Sequence, residues 1–450
     1  MKPLWKIQGF ETKTALVFFI ALLIIPGSAI AGNIQNRYTA TPHQPAYVHS
    51  IDDLATVHVA QKISSIHPSF PTTTNADILQ LIQQVNETLL LGYLENLTAF
   101  GPRKTGTEAC DQAAHYLYDT FKGMGLSVRY RNYTDNIVSG SNIEATLIGR
   151  SQNNIFIICG HYDCVSAGPG ADDDGSGVAA VLAAARLMSN YVFNSTIRFV
   201  AFSGEEQGLI GSHHYAEDAY NNGETIIAVL NADMIGFAIN TSDGHTGKIF
   251  ENPSSEWIVD FTQNISQLYN DYIDIQLLPQ GETYGSEHYY FWQYGYDAVF
   301  YHEFHFNDYY HSSNDTIAHM NLTYTARFTR LILATLGTMA QQPRPILEIR
   351  NITGGLGTRC QVINYGDTVA QGVNATIQIN GGFLNLIHLT VSNQTLSLAP
   401  LQTIPLHAIP FGVGHITILF SAGASNANQV TRQATAFAFG PFVLKITVIP

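Results

Sequence analysis

From Asp77 onward, apolar residues recur at helical spacing: Ile78, Ile82, Val85, Leu89, Tyr93, Leu94 and Leu97 fall along one stripe. The string FGPRKTG ends that pattern, and a second helix is expected after Thr107, a suitable N-cap, closing near Gly123 or Gly125. Short apolar runs then alternate with helical ones. Ile155–Cys159, Thr196–Phe202, Ile226–Leu230 and Ala298–Tyr301 read as buried strands, with the Ala/Leu-rich Val178–Met188 as a helix between the first two. The alternation predicts an α/β unit, a mixed central sheet flanked by helices, closed by a helix over 322–340. Past the linker Gln341–Pro345 the texture changes. Segments such as VNATIQI and HITILF alternate with period two between Gly and Asn turns, which predicts a C-terminal all-β sandwich, Ig-like, over 346–450. Nothing in that stretch resembles a catalytic cluster, so adhesion, stabilisation or spacing is its expected role.

The N-terminus follows a different rule. Lys2, Lys6 and Lys13 precede the apolar run Ala15–Ile25, and Ala29-Ile30-Ala31 offers a small-x-small cleavage site. Residues 1–31 are therefore expected to be a signal peptide and the protein to be secreted or held at the extracellular surface. The run is shorter than the roughly 20 residues of a comfortable membrane span, with retention as an anchor the alternative. Residues 32–75, with scattered Pro, His and Thr, read as a linker or propeptide-like segment. Asn-x-Ser/Thr triplets at Asn86, Asn96, Asn132, Asn194, Asn240, Asn264, Asn321, Asn351, Asn374 and Asn393 fit a glycoprotein. The four cysteines, Cys110, Cys159, Cys164 and Cys360, are too few for a disulfide scaffold, and an oxidising compartment permits a bridge without specifying the pair.

Composition narrows the class. The 450 residues are 46% hydrophobic, which excludes general disorder. The formal charge of −14 and the lack of a Lys/Arg run exclude nucleic acid as a partner.

Acidic and histidine side chains concentrate just past the expected strand ends, where open α/β sheets bind their ligands. In HYDCVSAGPGADDDGSG, His161 leaves the first strand, and Asp163 can accept the proton of its second imidazole nitrogen, as partners of metal-bound histidines commonly do. Asp172, Asp173 and Asp174 then crowd a Gly-rich turn, where three adjacent carboxylates call for solvation or a cation. A solvated, helix-capping acidic loop is the plain alternative. DDDG lacks the spacing and distal Glu of a calcium loop. Glu205 and Glu206 follow the second strand in FVAFSGEEQGLIGS, and Asp233 stands alone among apolar neighbours in LNADMIGF. Several histidines in YHEFHFNDYYHSSNDT are candidates, and HEFHF is not the HExxH of a helical zinc site. His213 and His214 read as surface residues.

Taken in order, HYDCVSAGPGADDDGSGVAAVL, VAFSGEEQGLIGS, LNADMIGF and YYHSSNDT resemble the successive signatures of the co-catalytic zinc aminopeptidases, the secreted leucine-type family whose relatives include glutamate carboxypeptidase II and glutaminyl cyclase. The likeness runs from about Asp77 to Ala340. It implies a zinc peptidase domain over 76–340 holding two Zn2+. His161, Asp173 and Asp233 would bind one ion and Asp173, Glu206 and His311 the other, with Asp173 as the bridge and a bond to Asp174 that is often cis in relatives. Glu205 would be the general base acting on a metal-bound water, Asp163 the residue behind His161, and Tyr310 an oxyanion stabiliser. The implied activity is removal of residues from peptide or protein N-termini, with carboxypeptidase or glutaminyl cyclase chemistry as the alternative on the same scaffold and a non-catalytic surface protein as a third. Ser286-Glu287-His288, where relatives often have Ser-Asp-His, and a short Asp163-to-Asp173 interval depart from the pattern.

Overall fold

The computed structural model describes residues 67–343 and 345–449. The expected signal peptide and residues 32–66 of the expected leader lie outside the described residues. No helix among the described residues is long and apolar enough to cross a membrane.

Asparagine and threonine set the helix starts. Asn75 Oδ1 accepts from the N–H groups of Asp77 and Ile78 and opens α1 (Ala76–Gln84), and Asn86 Oδ1 accepts from Leu89 N to open α2 (Glu87–Thr98). The single apolar stripe read over 78–97 is thus two helices: Asn86 satisfies the free N–H groups of a new start and breaks a run whose hydrophobic period continues through it. Thr107 caps α3 (Glu108–Gly123) as expected. There follow β1 (Ser127–Thr134), β2 (Ser139–Leu147), β3 (Ser151–His161), α4 (Gly175–Met188), β4 (Ser195–Phe202), α5 (Ile210–Asn221) and β5 (Ile226–Ala232). Next come β6 (Thr246–Glu251), α6 (Glu256–Leu268), α7 (Asn270–Ile273), β7 (Gln276–Pro279), α8 (His288–Gln293), β8 (Ala298–Glu303) and α9 (Leu322–Gln341).

These strands form one mixed eight-stranded sheet in the order β1-β2-β4-β3-β5-β8-β6-β7. The four central strands β4, β3, β5 and β8 are mutually parallel, so their carboxyl ends lie on one edge. Both faces are covered. Phe156 and Ile158 of β3 join the core under α1–α4, α6 and α9, while Ile155, Ile157 and Cys159 of the same strand pack with Tyr215 of α5 and Phe291 of α8. Period-two alternation between two apolar faces is why these strands read as unbroken hydrophobic runs.

Residues 67–75, expected to be linker, pack against the α/β unit. His67 stacks on Trp257 at 4.3 Å between ring centroids, Ser69 N donates to the Gln342 side chain, and Asn75 N donates to Tyr269 Oη. The α/β unit therefore begins earlier in the chain than its helical pattern. Composition misled here because aromatic and polar contacts, rather than a periodic apolar stripe, hold the segment down.

The C-terminal part holds β9 (Leu347–Thr353), β10 (Gly355–Leu356), β11 (Thr358–Asn364), β12 (Ala370–Gly381), β13 (Ile387–Leu398), β14 (Thr403–Ala408), β15 (Gly412–Ala424), β16 (Ala427–Gly440) and β17 (Phe442–Ile449). They form antiparallel sheets of six (β10-β17-β16-β15-β12-β13) and three strands (β14-β11-β9) around a shared core that includes Val362, Ile377, Ile418 and Phe420. Buried Asn364 ties the joint: its Oδ1 accepts from Ile346 N and Gly366 N, and its Nδ2 donates to Thr368 O and Leu398 O. Arg150 of the α/β unit meets Asp367 at 2.9 Å.

All four cysteines are single and buried, so the bridge that export permits is not made. Among the expected glycan acceptors, Asn194 is buried with its amide donating to Gln341 O and Gln342 O, and it is not offered at the folded surface. His213 and His214, expected at the surface, are half-buried; His213 stacks on Tyr290 at 4.2 Å and His214 lies parallel to Tyr133.

Candidate metal centre

Each candidate ligand lies at or beyond the carboxyl end of one of the four parallel strands. His161 closes β3, Glu205 and Glu206 follow β4, Asp233 follows β5, and His311 lies in the loop after β8. The parallel register thus draws together residues that are far apart in the chain.

Two donor groups result. His161, Asp173 and Asp233 form one, and Asp173, Glu206 and His311 the other, with ligand atoms within 4.8 Å of one another in each. Asp173 belongs to both: its Oδ1 lies 3.3 Å from His161 Nε2 and its Oδ2 lies 3.1 Å from His311 Nε2. Asp233 Oδ1 is 3.6 Å from His161 Nε2, and Glu206 Oε2 is 3.0 Å from His311 Nε2. His161 Nε2, Asp233 Oδ1 and Glu206 Oε1 are buried without hydrogen-bond partners. Orphaned donor atoms of this kind are costly unless a cation satisfies them, and a mixed imidazole–carboxylate set suits a divalent transition metal.

The structure sorts the three aspartates that spacing alone leaves open. Asp172 turns away from the centre, accepting from Gly236 N and Asn307 Nδ2. Asp174, joined to Asp173 by a cis peptide bond, caps α4. Its carboxylate accepts from His161 N, Gly177 N and Met234 N, so one side chain fastens β3, α4 and the end of β5. A Cβ on Gly177 would meet Ala232 O at 2.0 Å, which leaves no room for any other residue at that crossing. Only Asp173 remains to face both histidines.

Asp163 departs from its expected geometry. Its carboxylate stands 3.7 Å from His161 Nδ1, beyond hydrogen-bond reach, and it is the Asp163 carbonyl that meets Nδ1 at 3.1 Å. The carboxylate instead accepts from Glu205 N at 3.4 Å, in the turn after β4. Glu205 Oε2 reaches to 3.9 Å from His161 Nε2. Tyr310 stacks on His311 at 3.7 Å between centroids and is half-exposed at the mouth of the centre.

Crowded acids perturb one another. Burial, then the charge of Asp173, pushes the Glu206 carboxyl up to about 7. Burial raises Glu205 well above the usual carboxylate range, aided by Glu206, Glu287 and Asp233 and opposed by His161. For His311, burial favours the neutral ring, but Asp173 and Glu206 outweigh it and lift the imidazole to about 10. Asp173 is held well below its ordinary value by the two histidines, against burial. Burial, then neighbouring carboxylates, pushes the Tyr310 phenol far up.

Several supporting residues received no role from the sequence. Buried Asp315 accepts from Asp172 N at 2.9 Å and from Asp173 N at 3.2 Å. Ser286 Oγ lies 2.6 Å from Asp233 Oδ2 and 2.8 Å from Glu287 Oε2, with one proton to share between them, and accepts from Asn231 Nδ2. The Glu287 of the unusual Ser-Glu-His string is therefore a buried acid beside a ligand. Arg103, in the string FGPRKTG that ends the helical pattern, is buried and donates to the carbonyls of Tyr162, Pro169 and Gly170, bracing the loop before Asp173.

Residues 142–336 match Peptidase family M28. Over that span the α/β unit resembles the peptidases of this family. The match spans β2 to α9 and so contains all five candidate ligands. Over 287 residues the chain is 27% identical to a probable leucine aminopeptidase of Arthroderma otae, an alignment covering 59% of this chain and 76% of that one. Over 207 residues it is 28% identical to a probable zinc metalloprotease of Pyricularia oryzae, covering 39% and 41% respectively. The α/β unit shares its fold with LapB from Legionella pneumophila, with a TM-score of 0.56 and 23% identity over 65% of this chain and 80% of that one.

Proposed function

We propose that this chain is an exported, zinc-dependent aminopeptidase that holds two zinc ions and removes residues from peptide N-termini. The observation that carries the reading is Asp173, whose two carboxylate oxygens face different histidines in two donor groups. His161, Asp173 and Asp233 would hold one ion and Asp173, Glu206 and His311 the other. Zinc bound there supplies Lewis-acid polarisation of a scissile carbonyl and makes an attacking water more acidic. The basic-then-apolar leader supports export.

The chain's own groups do the remaining work. Glu205, whose side chain stands 3.9 Å from His161 Nε2, takes the proton of the attacking water and delivers it to the departing amine. Asp163 steadies this base through its main-chain N–H. The Tyr310 hydroxyl, kept protonated, donates to the oxygen that gains charge in the transition state. The acids around the centre offer carboxylates to a free α-ammonium group, which favours attack at a chain end. The names of the relatives point to the same chemistry.

The test pairs a chromogenic leucine anilide with its N-acetyl counterpart, each with and without chelator. Release from the free amine alone, lost to chelator and restored by zinc, is the expected result. Release of the last residue from an N-acetyl peptide with a free carboxylate would speak for a carboxypeptidase-like reaction, and cyclisation of an N-terminal glutamine for a cyclase. Elemental analysis giving one zinc per active chain in place of two would remove the two-ion form of the reading.

A further inference from the structure

At one end of the β unit, the turns leading into β13, β15 and β17 come together. Gly382 N donates to His415 O, Val413 pairs with Phe439, and Leu356 pairs with Phe442. These turns carry Phe383, Leu384, Leu386, Phe411, Phe439 and Phe442, all exposed, with Phe411 83% and Leu384 75% accessible. Isolated surface apolar residues need no explanation, but a contiguous set of this size marks an interaction site.

The chemistry of the tip selects its occupant. The strings GGFLNL, IPFGVG and FGPF contain one polar side chain, Asn385. A protein interface of ordinary anatomy carries roughly one hydrogen bond per 100–200 Å2 and a polar rim, which this tip does not offer. The segment from Thr368 to Pro450 contains no Asp or Glu at all, in a chain with 35 acidic and 21 basic residues. The exposed cations Arg359 and Lys445 flank the tip, Arg359 pairing with His407 beside the last residues of β14. An acid-free apolar tip with flanking cations is complementary to a bilayer surface with anionic headgroups.

We propose that this tip seats the protein on a lipid bilayer, with the phenyl and leucyl side chains of the three turns entering the headgroup–acyl boundary. Asp367, which holds Arg150 of the α/β unit, precedes the opposite end of β12. Twelve residues of strand at roughly 3.3 Å each set the joint about 40 Å from the tip.

The experiment reads position along the domain, because the apolar run Ala15–Ile25 can itself bind lipid. An environment-sensitive dye is attached to Leu384→Cys and, separately, to Leu396→Cys in the full chain. Leu396 is 90% exposed but lies near the far end of β13, and the four native cysteines are buried. With vesicles of phosphatidylcholine containing a minor share of phosphatidylglycerol, the dye at 384 should shift to the blue and be quenched by brominated acyl chains. The dye at 396 should do neither, and Phe383→Ser with Phe411→Ser should abolish the response at 384. Equal responses at both positions, or none at 384, would overturn the proposal. So would a shift at 384 that grows with protein concentration without lipid, which would mark contact with a second copy.

Discussion

Asp315 Oδ2 accepts the main-chain N–H of Asp173 at 3.2 Å, four residues along the chain from His311. One short loop thus supplies a ligand of the second donor group and the clamp on the residue shared by both. Asp315→Ala frees the N–H groups of Asp172 and Asp173 together and should weaken zinc binding at both sites by about 10–100-fold, the usual range for partners of metal ligands. Asp315→Asn keeps one acceptor and should recover part of the loss. Competition titrations against a chromophoric chelator check this; loss at the His311 site alone would contradict the clamp.

Glu205→Gln keeps the size of the side chain and removes its capacity to take a proton. Turnover should fall by about 10²–10⁴-fold with zinc content and Tm unchanged, as measured by steady-state kinetics and elemental analysis. A rise in KM or a fall in zinc content without a fall in kcat would assign Glu205 to binding.

Metal-free protein should lose stability as pH rises. Glu206 and Glu287 are pushed up to about 7 in the folded state, both first by burial. Between about 4.5 and 7 the folded chain therefore binds more protons than the unfolded one, and stability falls across that window. His311, lifted to about 10, extends the decline from about 6.5 upward. Zinc displaces these protons, so the zinc-loaded protein should reverse the trend, gaining Tm as affinity rises with pH. Thermal melts at pH 5 and pH 8, with and without zinc, decide it.

Gly177→Ala tests the crossing of α4 and β5. Its Cβ would stand 2.0 Å from Ala232 O, so α4 or β5 must shift. A cost of about 1–3 kcal/mol is expected by denaturant unfolding, together with reduced zinc retention, because Asp233 follows Ala232 directly. Wild-type stability and zinc content would show that the close approach does not matter.

Much of this was legible in the sequence because the sheet is buried on both faces and writes itself as short apolar runs. The strand ends then pointed to His161, Glu206 and Asp233 by position. Asp173 and His311 were not separable from Asp172, Asp174 and the neighbouring histidines by pattern; the resemblance selected them, and three-dimensional hydrogen bonding explains the choice. The break at Asn86 was hidden because a cap can interrupt a helix without interrupting its hydrophobic period. Arg103, Glu287 and Asp315 were missed as supports for a different reason. Arg103 and Asp315 meet main-chain atoms distant in sequence, and Glu287 meets the hydroxyl of Ser286, contacts that no residue pattern announces. The aromatic anchoring of residues 67–75 was unreadable on the same ground.

The parallel sheet has one more consequence, for the order in which the molecule matures. His161 ends β3 and Asp173 lies in the loop after it, while Glu206 follows β4, Asp233 follows β5 and His311 lies in the loop after β8. No short stretch of chain contains a full donor set, unlike a zinc finger, whose ligands sit close together and which folds around its ion. An unfolded chain of this protein has no local chelate to form, and uptake must wait until all four strands are in register. Zinc capture would then report late assembly of the sheet, and the compartment in which the chain folds would also be the one that furnishes its metal.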